Sequence, residues 1–213
     1  GSRRATATCA TRKRTARQRA NKLKVLQNAG AQVWNVHRAG PLCMELWGCA
    51  TAGLAPAALH SARVALAQAI GRTAVGTTVG LRLGLFAALG VQDPLVTFAS
   101  RVVQMWAEAV WSGKPPLAVM ETVLADAKLN QQDTWHRTIS PADVLLKTGA
   151  LIGWTFPSAR RWSTRRFGDI DLLKLPPKLV ANMSASEAAK ARDIFAMKSG
   201  NGNVLGGWAA PIA

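Results

Sequence analysis

The side chains able to do covalent or metal chemistry in this sequence are few and scattered. His37, His60 and His136 have no Asp, Ser or Cys at the spacing of a recognised catalytic motif. Cys9, Cys43 and Cys49 form neither a metal-ligand pattern nor an even set for a disulfide framework, and read as buried thiols of a reducing compartment. Asp169 and Asp171 flank Ile170, so a strand would turn both carboxylates to one side. Two carboxylates can share a cation, but a metal-dependent polymerase or nuclease needs several converging on two, and a lone Asp-x-Asp in a turn is more often structural. Gly71, Gly76 and Gly80 match neither a P-loop nor a dinucleotide fingerprint. These residues point to no catalytic centre, no metal and no cofactor.

The chemistry that the sequence does advertise is non-covalent. The 213 residues carry 27 Lys+Arg against 11 Asp+Glu, a formal net charge of +16. Such a surplus repels itself, and a polyanion relieves it by accepting the cations and releasing its own counterions. Nucleic acid, whether RNA, DNA or a hybrid, is the leading candidate, with an anionic membrane second. Arg12, Lys13, Arg14, Arg17, Arg19, Lys22, Lys24 and Arg38 all precede the first acidic residue, Glu45. Cations on several faces of one helix cannot all be buried, so they must meet water or phosphate. A second cluster interleaves arginines with aromatics: Trp154, Phe156, Arg160, Arg161, Trp162, Arg165, Arg166 and Phe167. There guanidinium groups could hold phosphates while Trp162 stacks on a base. The plainer alternative is that Trp154, Phe156 and Phe167 pack a hairpin onto helices.

Helical elements must position these groups. With 49% hydrophobic and 18% charged residues the chain can bury a core. From Arg12 to Ala29 it lacks Pro and Gly and is rich in helix formers, with Gly30 as a stop and Leu23 and Leu26 as anchors for the later half alone. A short element is expected around Ala31 to His37 and another from Pro41 to Ala50. Leu59, Ala62, Leu66 and Ile70 recur at spacings of three and four, marking a helix up to Gly71. A loop over Gly71 to Gly80 and a small helix from Leu81 to Leu89 come next. Asp93-Pro94 opens the clearest helix, closed by Gly113, with Leu95, Phe98, Val102, Met105, Trp106 and Ala109 facing inward. Pro115 and Pro116 open a helix to about Lys128, and Ser140 caps one that ends before Gly153. A β-hairpin is expected over 154–172, with its second strand near Ile170 to Leu172. Ser184 and Glu187 make a capping box for a last helix to about Met197, ahead of an unstructured tail. The expected divisions are a basic arm at 1–30, a helical core at 31–153, a hairpin segment at 154–183, and a helix with tail at 184–213. No stretch reads as a membrane span, and the chain is expected to be soluble or held in an assembly.

Several segments together resemble a known family. The run from Arg14 to Gly71 is similar to the region just after the polymerase palm in reverse transcriptases of non-LTR retroelements, particularly those of dinoflagellate algae. The likeness is carried by Arg38-Ala39-Gly40, Trp47-Gly48, and Gly53-Leu54 with Leu59. It continues through Asp93-Pro94, Trp106, Trp111-Ser112-Gly113, Gly153-Trp154-Thr155-Phe156-Pro157-Ser158 and Asp169-Ile170-Asp171-Leu172. It covers roughly residues 10 to 183. It implies a thumb-like connecting region that grips a template–primer duplex by its backbone, in a parent protein that is an RNA-directed DNA polymerase of the nucleus. The palm's aromatic-x-Asp-Asp signature is absent from these residues, and the Gly-Ser start in place of Met fits a fragment or a processed product.

The resulting expectation is a mainly α-helical chain with a small β-hairpin in its last third. Its expected role is non-catalytic nucleic-acid binding within a reverse-transcriptase-like protein, beside a polymerase domain. The alternative is a domesticated basic subunit of an RNA-rich, ribosome-like assembly.

Overall fold

A computed structural model describes residues 3–71, 78–130 and 140–198. His136, most of the loop expected at 71–80 and the tail beyond Lys198 lie outside the described residues. The chain is mainly helical with a small three-stranded antiparallel sheet in its last third. It divides into two compact units, one formed by residues 1–49 and 54–94 and the other by 50–53 and 95–213.

In the first unit α1 (Arg3–Asn28) is continuous, and Gly30 follows it with a positive φ of 92° that terminates the winding. Its inward contact is small side chains rather than leucines. Ala16 is fully buried and Leu23 half-buried, whereas Leu26 is 54% exposed. Docking is therefore centred on the middle of the helix and not on its later half. Trp34–His37 (α2), a π-helical turn over Arg38–Leu42 and Cys43–Glu45 (α3) wind on without a break, where the sequence predicts two separate elements. Pro41 does not break the helix. It cannot donate to the carbonyl one turn back, so the ladder widens there to the π pattern. The Cys43 thiol, exposed where a buried thiol is expected, donates to the Arg38 carbonyl across that wider turn, at 3.3 Å, whereas Cys49 is buried. After α4 (Cys49–Ala52), of which residues 50–52 belong to the second unit, α5 (Pro56–Ile70) buries Leu59, Ala62 and Leu66 on the expected stripe and leaves Ile70 half-buried. Arg63 of α5 grips the buried Asp93 carboxylate through Nε and Nη2, at 2.8–3.1 Å. Capped by Thr78, α6 (Val79–Leu85) passes into a 3-10 turn, Phe86–Leu89.

In the second unit α7 (Pro94–Ser112) buries Leu95, Phe98, Val102 and Trp106, while Met105 and Ala109 are only half-buried. Val103, Ala107 and Val110 share the buried face. α8 (Leu117–Leu129) follows Pro116, and α9 (Pro141–Ile152) is capped by the Ser140 hydroxyl, which accepts from the Asp143 amide. Strands β1 (Trp154–Thr155), β2 (Arg161–Thr164) and β3 (Gly168–Asp171) form the sheet in the order β1-β2-β3. The sheet has one strand more than the expected hairpin. Gly149 is where α9 meets it: a Cβ there would lie 2.2 Å from Phe156 Cε2 and 2.8 Å from the Trp154 carbonyl oxygen. That oxygen belongs to a paired strand and cannot retreat. Gly149→Ala is expected to cost about 3 kcal/mol, the upper end for overpacking a core, read as a lowered urea midpoint.

The last helix, α10, spans Pro177–Lys198 and begins well before the expected cap. Pro177 fits the first helical turn, where its missing N–H costs nothing. Ser184 lies inside the helix, buried, with its hydroxyl donating to the Ala181 carbonyl. The Ser184/Glu187 spacing is thus that of a mid-helix pair and not a start signal.

Candidate nucleic-acid interface

The cations of α1 lie around a helix that touches its unit along one narrow face. Lys13, Arg17 and Lys24, spaced by four and seven residues, share one flank, while Arg19 and Lys22 lie on the other and Arg14 lies between, at the back. All six are exposed, and among the described residues none is in an ion pair. The Glu45 carboxylate feels two of these cations. Burial pushes its pKa up, and the charges of Arg17 and Lys13 pull it part of the way back. One half-buried acid beside two of these cations leaves the flank strongly positive.

Arg12 differs from its neighbours. It is half-buried, with its guanidinium carbon 3.4 Å from the centre of the Trp47 ring, while Trp47 itself is 53% exposed. Arg38 likewise lies 5.7 Å over the Trp34 ring and donates to the Gly90 carbonyl at 2.9 Å. Both arginines therefore hold the fold while remaining near solvent. The sequence does not mark Trp47 as a binding residue, because its partner is 35 positions earlier and no local pattern joins them.

In the second unit the loop between β1 and β2 is tied from behind. Trp106 Nε1 donates to the Ala159 carbonyl at 3.0 Å, the Ala159 amide donates to Glu121 Oε2 at 2.9 Å, and Lys128 Nζ donates to the Pro157 carbonyl at 2.9 Å. The Ser158 hydroxyl accepts from the Arg161 amide. These bonds fix where Arg160 and Arg161 leave the loop. Arg165 and Arg166 sit at the β2–β3 turn, which Gly168 closes with a φ of 67°. Arg161 and Arg165 are exposed, and their guanidinium groups hold no hydrogen bond or ion pair among the described residues. Arg166 donates to the Ser186 hydroxyl and lies 5.1 Å over the Phe167 ring.

Two expectations for this cluster change. Trp162 is 1% exposed, packed edge-on to Phe156 at 5.0 Å and against Trp154 at 6.0 Å. It cannot offer a face to a base and is a core residue, because the alternation of β2 turns it inward with Thr164. Arg160 is committed to Asp171, through Nε to Oδ1 at 2.6 Å and Nη2 to Oδ2 at 2.5 Å, so its fork is already occupied by a carboxylate. The same pair answers the Asp-x-Asp question. Asp169 and Asp171 do share a side of β3, but Asp171 is held by a guanidinium, and no cluster of metal-ligating side chains occurs among the described residues.

The Arg160 hydrogen bonds, with help from the Leu173 amide and the charges of Arg160 and Lys174, lower the Asp171 pKa from 3.8 to about 2. A carboxyl with a depressed folded value adds stability above its unfolded value and loses it as the pH falls through the folded one. Asp171→Asn is therefore expected to flatten the loss of stability between 3.8 and about 2 on the pH scale, tracked by urea midpoints measured across that window.

No protein-family model, curated protein or solved structure matches this chain. Among the described residues no single helix is long and apolar enough to cross a membrane.

Proposed function

We propose that this chain is a non-catalytic nucleic-acid-binding segment that holds the phosphates of a duplex or structured strand. The observation that carries this reading is the set of six exposed α1 cations without an ion-pair partner among the described residues. Phosphate oxygens would complete them while releasing condensed counterions, giving affinity with little sequence preference. Arg161 and Arg165 add a second set of exposed guanidinium groups. The resemblance to the region beyond a reverse-transcriptase palm supports placing the segment beside a polymerase domain, where it would grip a template–primer backbone while the chemistry occurs elsewhere. The test is titration of the whole chain with a structured RNA and with an RNA–DNA hybrid at several salt concentrations. Affinity should fall linearly on a log–log plot with a slope near −0.9 for each phosphate gripped. Tight, salt-insensitive binding would overturn the reading.

A second reading, a basic subunit of an RNA-rich assembly, is favoured by one observation. Leu81, Leu85 and Leu89, spaced by four along α6 and its 3-10 turn, are 51%, 66% and 62% exposed. A protein neighbour would cover such a stripe. Copurification with defined RNA and several proteins would support this reading over the first.

A further inference from the structure

A single exposed aromatic is ordinary on a protein surface, but the setting of Trp47 is not. It is 53% exposed although Arg12 of α1 already lies against one face of its ring, with the guanidinium carbon 3.4 Å from the ring centre. That contact is a cation–π stack of two planar groups, and it holds the indole in one orientation. The next residue adds no obstruction. Gly48 has a φ of 72°, and a Cβ built on it would meet no atom within 4 Å, so the chain beside the ring is open to a bulky ligand.

The flank of α1 that carries Arg12 is cationic farther along. Arg19 and Lys22 follow Arg12 by seven and ten residues on that flank. At the rise of an α-helix they lie about 10 and 15 Å beyond it. Both are exposed, and neither is in an ion pair among the described residues. A protein neighbour that covered Trp47 would have to leave these charges in water or bring carboxylates of its own. A nucleotide strand supplies an aromatic face and phosphates together.

We propose that Trp47 is a stacking platform for one unpaired base of the bound nucleic acid, taken on the ring face opposite Arg12, with the adjoining phosphates running along Arg19 and Lys22. The inference rests on the phosphate-binding reading above and adds to it a preference for strands that offer an unpaired base. Every base has a π-face, so stacking of this kind selects no sequence. Because Arg12 already holds the indole, little side-chain freedom is lost when the base arrives, which keeps the cost of binding low. Bases inside a duplex are stacked on their neighbours, so the platform favours a loop, a bulge or a single-stranded end.

Two single strands with the same number of phosphates test this by fluorescence anisotropy at one salt concentration. One is a thymidylate octamer, and in the other every base is replaced by an abasic tetrahydrofuran unit. Stacking on an aromatic side chain is worth about 1–3 kcal/mol per base, so the thymidylate strand should bind about ten-fold tighter. Trp47→Leu should reduce that preference to about two-fold, and Trp47→Phe, which restores an aromatic face, should recover most of it. The abasic strand, held by phosphates alone, should bind Trp47→Leu no more weakly than the parent, whereas a disturbed α1 would weaken both strands and show in the circular dichroism. Equal binding of the two strands by the parent, or a preference undiminished in the folded Trp47→Leu variant, would overturn the stacking assignment. If that equal binding fell with salt, the phosphate reading would stand alone, whereas no binding of either strand would remove both.

Discussion

Glutamine in place of Lys13, Arg14, Arg19 and Lys22 should lower the salt slope of nucleic-acid binding by about 3 to 4, close to 0.9 for each phosphate released from the protein's grip. Between 50 and 200 mM salt the altered chain should then weaken about a hundred-fold less than the parent. The four side chains are exposed, and glutamine keeps good helix propensity, so α1 should persist. Arg12 is left in place because it packs on Trp47. Salt titration of both proteins on one hybrid duplex is the measurement. An unchanged slope would mean that α1 is a solvated face and that phosphates, if bound, are met elsewhere.

Trp162→Ala should destabilise the protein by about 3–5 kcal/mol, the usual cost of removing a large aromatic from a packed core. Nothing can refill the space cheaply, since Phe156 and Trp154 border it and Phe156 is itself pressed against Gly149. Chemical unfolding followed by circular dichroism would show the destabilisation. The variant also separates two roles for an aromatic in a basic segment. A base-stacking tryptophan would lose nucleic-acid affinity with little change in stability, and Trp162 should do the reverse.

The elements that sequence described best were those set by local chemistry. Pro94 and Gly113 bound α7, Ser140 caps α9, and Gly153 ends it in a left-handed conformation, each by a preference of one or two residues. Where distant groups decide, local pattern misled. Ser184 and Glu187 have capping-box spacing, yet Pro177 starts that helix earlier. Pro41 resembles a break, yet a widened turn absorbs it. For the binding surface, the composition of α1 was legible because exposed cations need no partner from elsewhere. The pairing of Arg160 with Asp171 and the enclosure of His37 and Glu45 depend on groups meeting across turns and helices, which residue spacing does not encode.

The three side chains that tether the loop between β1 and β2 have a consequence for energetics. Trp106, Glu121 and Lys128 reach it from two separate helices, so the backbone that leads to Arg161 is tied at Pro157 and Ala159. An arginine on a floppy segment must freeze both its own torsions and those of its support when it meets an anion, and each frozen side chain costs about 0.5–1.5 kcal/mol. Here part of the support is already held by those three hydrogen bonds. A single guanidinium on this scaffold can therefore retain more of its gross attraction as net affinity than the same residue on a free arm.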